Sequence, residues 1–134
     1  MKISRASDYA IRGLVHMAEK PEGTISYIKD IAKKTEVPAS FLSKIFQTLS
    51  KAGFVNSFIG TKGGFSLNIP PEKITIKMVI EAVDGPLALN RCIANKTFCS
   101  RSSHCEVHFM WREIQKMLSS ALSSRTIAEF AQTE

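Results

Sequence analysis

The sequence predicts a mostly α-helical protein: a winged helix-turn-helix with a small β-hairpin wing and a long C-terminal dimerisation helix. Two observations carry this prediction. A pair of short amphipathic helices ends in the motif Lys-Ala-Gly-Phe-Val at residues 51–55, and two strand-like segments around a glycine-rich turn follow at once. A hairpin directly after the second helix of such a pair is typical of a wing.

The first two helices are indicated by apolar side chains at helical spacing. One helix is predicted over residues 5–20, with the stop at Pro21. Ser26 can cap the second helix, whose apolar face includes Ile31 while its lysines point outward. These helices are expected to supply part of a single core.

The third helix should start at Pro38 and end at Gly53. Its buried stripe is predicted to comprise Phe41 or Leu42, Ile45, Leu49 and Ala52. Strands are predicted over 54–59 and 65–69, around the turn 60–64. A fourth helix over about 76–83 has Thr75 as its cap and stops at Asp84-Gly85-Pro86.

A long helix is predicted over residues 104–122, and its apolar stripe is too long for a small core to cover. A second copy of the helix is the natural cover, and packing onto its own subunit is the alternative. The residues expected at this dimer interface are Met110, Trp111, Ile114, Met117, Leu118 and Leu122.

The charge of the chain indicates a polyanionic partner. The net charge is +6, and residues 1–70 hold ten Lys and Arg against five Asp and Glu. A solvated basic face without a partner would explain the charge equally well, but the predicted wing favours DNA. The residues expected to contact DNA are Ser40, Ser43, Lys44, Gln47 and Lys51 on the third helix, and Thr61 and Lys62 on the wing.

All three cysteines lie in one polar, turn-rich segment. Cys92, Cys99 and Cys105 have the spacing C-x6-C-x5-C, and His108 follows after two residues. Three thiolates and an imidazole form a ligand set for a soft metal or an iron–sulfur cluster. The spacing leaves zinc and a cluster open, with free thiols as the third alternative. His104 is a poorer ligand candidate, and His16 is expected to be structural or surface-exposed.

The sequence divides into a winged-helix region at 1–85, a cysteine-rich loop at 86–105, and a dimerisation helix with its tail at 106–134. It shows no signal peptide and no membrane-length apolar run, so we expect a cytoplasmic protein. Catalysis is not expected, because the sequence has no Ser/His/Asp set, no phosphate loop and no recognisable carboxylate pair.

Several motifs together resemble the winged-helix iron–sulfur regulators typified by IscR, NsrR and RirA, of which CymR is a cluster-free relative. They cover nearly the whole chain: MKISRASDYAIRGL, VPASFLSKIFQTLSKAGFV, GTKGGF, IEAVDGP, the three cysteines with C-x-x-H, and TIAEF. The chain departs from the family in having six residues in the first cysteine gap, where many members have five. It also has Ile59 where the family wing commonly has an arginine.

The resemblance implies a homodimeric DNA-binding regulator, expected to be a repressor, whose affinity for a double-stranded operator depends on a 2Fe–2S or 4Fe–4S cluster. The cluster would sense iron status, nitric oxide or redox state. Cys92, Cys99 and Cys105 would be ligands, and the fourth would be His108 or Asp8 of the partner subunit. The alternative is a zinc-bound or thiol-switched repressor of the same fold, acting through a partner enzyme.

Overall fold

The computed structural model describes residues 3–60, 63–89 and 106–131, and confirms the mostly α-helical winged-helix fold. A single turn of 3-10 helix covers Pro71–Lys73. The other elements, in chain order, are α1 (Arg5–Ala18), β1 (Ser26–Tyr27), α2 (Ile28–Thr35), α3 (Ala39–Lys51), β2 (Val55–Phe58), β3 (Gly64–Leu67), α4 (Ile76–Asp84), α5 (Glu106–Ser123) and α6 (Ile127–Phe130).

The core lies between α1, α2, α3 and the sheet. Leu14, Ile31 and Leu42 are completely buried there, and the ring of Phe46 packs 5.2 Å from that of Phe65. Gly13 allows α1 to approach α3 closely, because a Cβ at this position would lie 2.8 Å from the Phe46 ring. The orientation of α3 on the protein therefore depends on this close packing.

The sheet has three antiparallel strands in the order β1-β3-β2. The prediction of Ser26 as a helix cap is wrong: Ser26 lies in β1, pairs with Phe65 and is buried. α2 instead begins after Tyr27 without a side-chain cap. A two-residue strand is too short to leave a periodic pattern, and its pairing partner lies far along the chain.

The buried side of α3 consists of Leu42, Ile45, Phe46 and Leu49. Of the two alternatives predicted for the start of the buried stripe, Phe41 and Leu42, the buried residue is therefore Leu42. Phe41 is 58% exposed. The prediction that Ala52 is buried is wrong, because Ala52 is the exposed C-cap. Gly53, with φ of +87°, ends the helix as predicted.

The C-terminal part of the described chain returns to the winged-helix core. The Thr75 side chain caps α4 as predicted, accepting a hydrogen bond from the amide of Met78. Thr75 also forms a β-bridge with Thr126, just before α6, and Ile127 is completely buried. α6 was not predicted, although Thr126 and Glu129 form a capping box visible as Thr-x-x-Glu.

In the ranges that the structure describes, every helix is too short or too polar to span a lipid bilayer.

Candidate functional site

The outward face of α3 is polar and basic. Ser40, Lys44, Gln47 and Lys51 are exposed at spacings of four, three and four residues, which places them along one side of the helix, while Ser43 is half-buried. α3 contains no acidic residue. This face can therefore approach a polyanion without charge repulsion, with hydroxyl and amide groups available for hydrogen bonds.

The hairpin of β2 and β3 follows α3 in the chain, and β2 packs against it. Its last Cα pair joins Phe58 to Gly64. Phe58 is 44% exposed, and Ile59 is fully exposed beyond it. The two predicted wing contacts, Thr61 and Lys62, lie outside the described residues.

Sequence reasoning missed the exposed apolar side chains of α3 and the hairpin. Phe41 is largely exposed on the first turn of α3, next to Ser40, and Ile59 and Phe58 are exposed on the hairpin. The signal that could have identified Phe41 was the spacing of the four residues at 42, 45, 46 and 49, which leaves position 41 off the buried side. An exposed phenylalanine on a helix of this kind can contact a thymine methyl group.

The three cysteines and His104 lie outside the described residues, but the chain on both sides of them is described. On the N-terminal side, Asp84 ends α4 and is bonded to the start of α1. Its carboxylate accepts hydrogen bonds from the Ser7 hydroxyl at 2.8 Å and from the hydroxyl and amide of Ser4. Partial burial would raise the pKa of Asp84, but the hydrogen bonds from Ser4 and Ser7 outweigh it and lower the pKa below its ordinary value.

Gln115 on α5 holds the next part of the chain. Its side-chain nitrogen donates to the Leu87 carbonyl and its side-chain oxygen accepts from the Leu89 amide, both at 2.9 Å. The amide group thus bonds the backbone in two directions, as a neighbouring strand would. We call this pair of hydrogen bonds the Gln115 clamp. It attaches the chain three residues before Cys92 to the middle of α5.

On the C-terminal side, α5 begins at Glu106 and brings His108 into a buried position, with 9% of the residue exposed. The Nδ1 atom of His108 is buried and has no hydrogen-bond partner in the structure as described. Buried polar atoms in native proteins almost always have a partner, so an imidazole nitrogen in this state is available to a ligand. His108 therefore fits a metal or cluster bound by the preceding cysteines.

The other candidate ligand, Asp8, is exposed on α1. Its carboxylate accepts a hydrogen bond at 2.9 Å from Nε of Arg12, one turn later on the same helix. An exposed pair of this kind contributes little to stability, so Asp8 could exchange this partner for another at little cost.

His16 on α1 is as buried as His108 and also has an unpartnered Nδ1. Of the two positions expected for His16, the surface position is therefore wrong, and a structural role stays a prediction. Burial, reinforced by the nearby charge of Lys20, lowers its pKa, while Glu19 at 4.0 Å opposes the shift. His16 borders an open cleft of about 730 Å³ whose lining includes Val15 and Phe130.

α5 has two distinct faces. Trp111, Gln115, Leu118 and Leu122 are half-buried and share one face, which includes the Gln115 clamp. A second face is exposed and apolar, with alternating spacings of three and four residues, as in helices that pair. Its residues are Val107 (55% exposed), Met110 (44%), Ile114 (39%), Met117 (67%) and the smaller Ala121.

Comparison with known proteins assigns the chain to a family. Residues 3–133 match the model of Rrf2, described as "Iron-dependent Transcriptional regulator". The chain belongs to the Rrf2 family. It is 32% identical to the transcriptional regulator IscR of Aliivibrio salmonicida over 130 residues, which cover 96% of this chain and 76% of that protein. Its Rrf2 relatives are named as regulators rather than enzymes, in agreement with the prediction from sequence.

Solved structures support the Rrf2 fold. CymR, the global cysteine regulator of B. subtilis, superposes with a TM-score of 0.79 at 23% identity, over 98% of this chain and 99% of that one. IscR of T. potens superposes with a TM-score of 0.73 at 23% identity, over 96% and 84%. The likeness to these two structures is one of fold, and it agrees with α2, α3 and the hairpin forming a winged helix-turn-helix.

Proposed function

We propose that this chain forms a homodimeric Rrf2 repressor, acting in the cytoplasm, whose affinity for an operator depends on an iron–sulfur cluster. The proposed cluster ligands are Cys92, Cys99, Cys105 and His108, with Asp8 of the partner subunit as the alternative fourth ligand. The observation that carries the proposal is the buried, unpartnered Nδ1 of His108 three residues after Cys105 in the sequence; His16 has a similar nitrogen, but no cysteine lies near it in the sequence. Bound there, a cluster would supply sensitivity to iron supply, nitric oxide or redox state.

The route from the cysteine segment to DNA is supported by the hydrogen bonds on either side of it. The Gln115 clamp attaches the start of the segment to α5, and Asp84 attaches the end of α4 to α1. α4 in turn packs against α3, which carries the proposed DNA contacts. Binding of a group by the segment would favour one arrangement of these helices over others, and removal of the group would abolish that preference.

The proposed dimer would cover the exposed apolar face of α5. Pairing two copies of this helix about a two-fold axis would give the assembly two α3 helices and two wings, the number that a palindromic operator requires. Of the predicted interface residues, Met110, Ile114 and Met117 lie on the exposed face, while Trp111, Leu118 and Leu122 lie on the half-buried one. The first three are therefore the better candidates for the centre of the interface.

The cluster is tested by purifying the protein without oxygen and recording its visible absorption, iron and sulfide. A brown protein with charge-transfer bands is expected, and Cys99→Ala should abolish the colour. The His108→Ala and Asp8→Ala variants then separate the two candidates for the fourth ligand, because the true ligand alone should alter the spectrum. A colourless protein with stoichiometric zinc would refute the cluster and favour the zinc-bound alternative.

The DNA contacts are tested with duplexes that the wild-type protein selects from a randomised library. Lys44→Ala and Lys62→Ala should each weaken binding and reduce the slope of log affinity against log salt by about 0.9 for each phosphate that the protein no longer neutralises. Lys116→Ala, which removes the same charge from α5, is the matched control and should leave the slope unchanged. Equal slopes in all variants would count against the assigned face.

A further inference from the structure

We propose that Ile59 is an apolar wedge that enters the minor groove of DNA and partly unstacks the bases there. The inference extends the proposed DNA contacts and rests on them. Ile59 is fully exposed, more so than the other large apolar side chains described. A single exposed isoleucine is ordinary on a protein surface, so its position must supply the argument.

That position is the end of the wing. Phe58 pairs with Gly64 as the last Cα pair of the hairpin, so Ile59 is the first residue beyond the strand ladder. Before β3, Gly63 has a positive φ of +53°, a conformation that glycine adopts without strain. The isoleucine therefore begins the turn of the wing, directly beyond the end of the edge strand β2.

Another exposed isoleucine at the same end of the sheet, Ile25, has a structural role that Ile59 lacks. The Ile25 side chain lies against the backbone of Gly64, where an added Cβ would approach Ile25 Cγ2 too closely for any real side chain. Ile59, in contrast, is covered by no described part of the chain. Its neighbour Phe58 is also partly exposed, so two consecutive large apolar side chains are exposed where β2 ends.

The charge around the tip is compatible with DNA. The hairpin sequence from Val55 to Leu67 contains no aspartate or glutamate, and its single charged residue is Lys62. An apolar side chain cannot read base edges by hydrogen bonding. Isoleucine does, however, belong to the residue types that minor-groove proteins insert between base steps to kink the duplex. Its specificity would therefore be for deformable steps such as TA and CA.

The experiment uses full-length protein purified without oxygen and the duplexes it selects from a randomised library. Ile59→Ala should weaken binding about tenfold while leaving the salt slope unchanged, because no charge is removed. It should also reduce the bend angle measured by fluorescence transfer between the duplex ends, and weaken the preference for TA and CA steps. Ile59→Leu should retain most of the affinity. Ile3→Ala, which truncates an isoleucine that is 40% exposed outside the wing, is the matched control.

Ile59→Arg provides a second test. An arginine in the same groove should steepen the salt slope by about 0.9 per subunit and move the preference towards A-tracts with a narrow minor groove. If Ile59→Ala binds and bends DNA like the wild type while Lys44→Ala weakens binding, the wedge is refuted and the DNA-binding face stands. If neither substitution weakens binding, the proposed face is refuted together with the wedge. An unchanged salt slope for Ile59→Arg also overturns the proposal.

Discussion

Apolar side chains at helical spacing are buried within the chain in α1 to α4, whereas one of the two apolar faces of α5 is exposed. The nearly fully buried hydrophobic residues described lie between Ala10 and Ile80, together with Ile127. The eighteen residues of α5 contribute only His108 to the buried set, and Val107 and Met117 are more than half exposed. Apolar residues at the same spacing thus form a core in one region and an exposed surface in the other.

This difference shows what helical periodicity does and does not encode. An apolar stripe predicts that a helix will be covered on one side, but the stripe does not identify the cover. For α3 the cover is supplied by α1, α2 and the sheet of the same chain. For the exposed face of α5, the described chain supplies none, and the proposed cover is a second copy.

The largest expected effect is in the core. Phe46→Ala should lower the free energy of unfolding by about 3–5 kcal/mol, because it removes a completely buried ring that packs against Phe65 and Gly13. Urea denaturation followed by circular dichroism measures the change. Phe109→Ala, which removes the same ring from a position 48% exposed on α5, is the control and should cost much less. Similar decreases in the two variants would contradict the contrast between the regions.

A smaller effect is expected from Ile114→Glu, which places a charge in the middle of the exposed stripe. If this stripe forms the dimer, the substitution should raise the dissociation constant by about 100-fold, since a buried unpaired charge costs about 3 kcal/mol or more. Sedimentation velocity measures the assembly, and circular dichroism checks that the helix content is kept. Lys116→Glu, on the opposite side of α5, should leave assembly unchanged. A dimer unaffected by Ile114→Glu would exclude this face.

The smallest effect concerns the buried histidine of the first region. The folded protein lowers the pKa of His16 below its ordinary 6.5, mainly through burial, so the unfolded chain binds a proton more readily. The contribution of His16 to the free energy of unfolding should therefore be fully present above pH 6.5. It should be lost as the pH falls towards the lowered pKa of the folded state. His16→Leu should flatten the decline, as measured by melting temperature between about pH 7.5 and about pH 5.5, one unit either side of the ordinary value. An unchanged decline would show that other groups cause it.

Much of the fold could be predicted because its signals are local. The Thr75 cap, the stop at Gly53 and the lysine face of α2 depend on neighbouring residues. The errors fall where distant partners decide. Ser26 suits a helix cap in isolation, but it lies in a strand because Phe65 is available to pair with it.

The residues of the candidate site likewise divide into those that could be predicted from the sequence and those that could not. The polar face of α3 follows from the helical spacing, so its residues could be named from the sequence. Asp84 and Gln115 could not, because their partners are backbone and hydroxyl groups separated by up to 80 residues. The sequence also could not predict that the Nδ1 atom of His108 is buried without a hydrogen-bond partner, because burial is a property of the folded chain.

α5 is attached to the rest of the described chain at two points, so a rotation of the helix would take place about the attachment nearer its start. The clamp at Gln115 and the bridge between Thr126 and Thr75 hold its second half. The part from Glu106 to Gln115 extends about 14 Å from the nearer attachment, at 1.5 Å per residue. A rotation of about 5° at the clamp would displace the Glu106 end by about 1 Å. In the proposed dimer, a displacement of about 1 Å beside the cysteines would thus correspond to a rotation of about 5° of the helix that forms the interface.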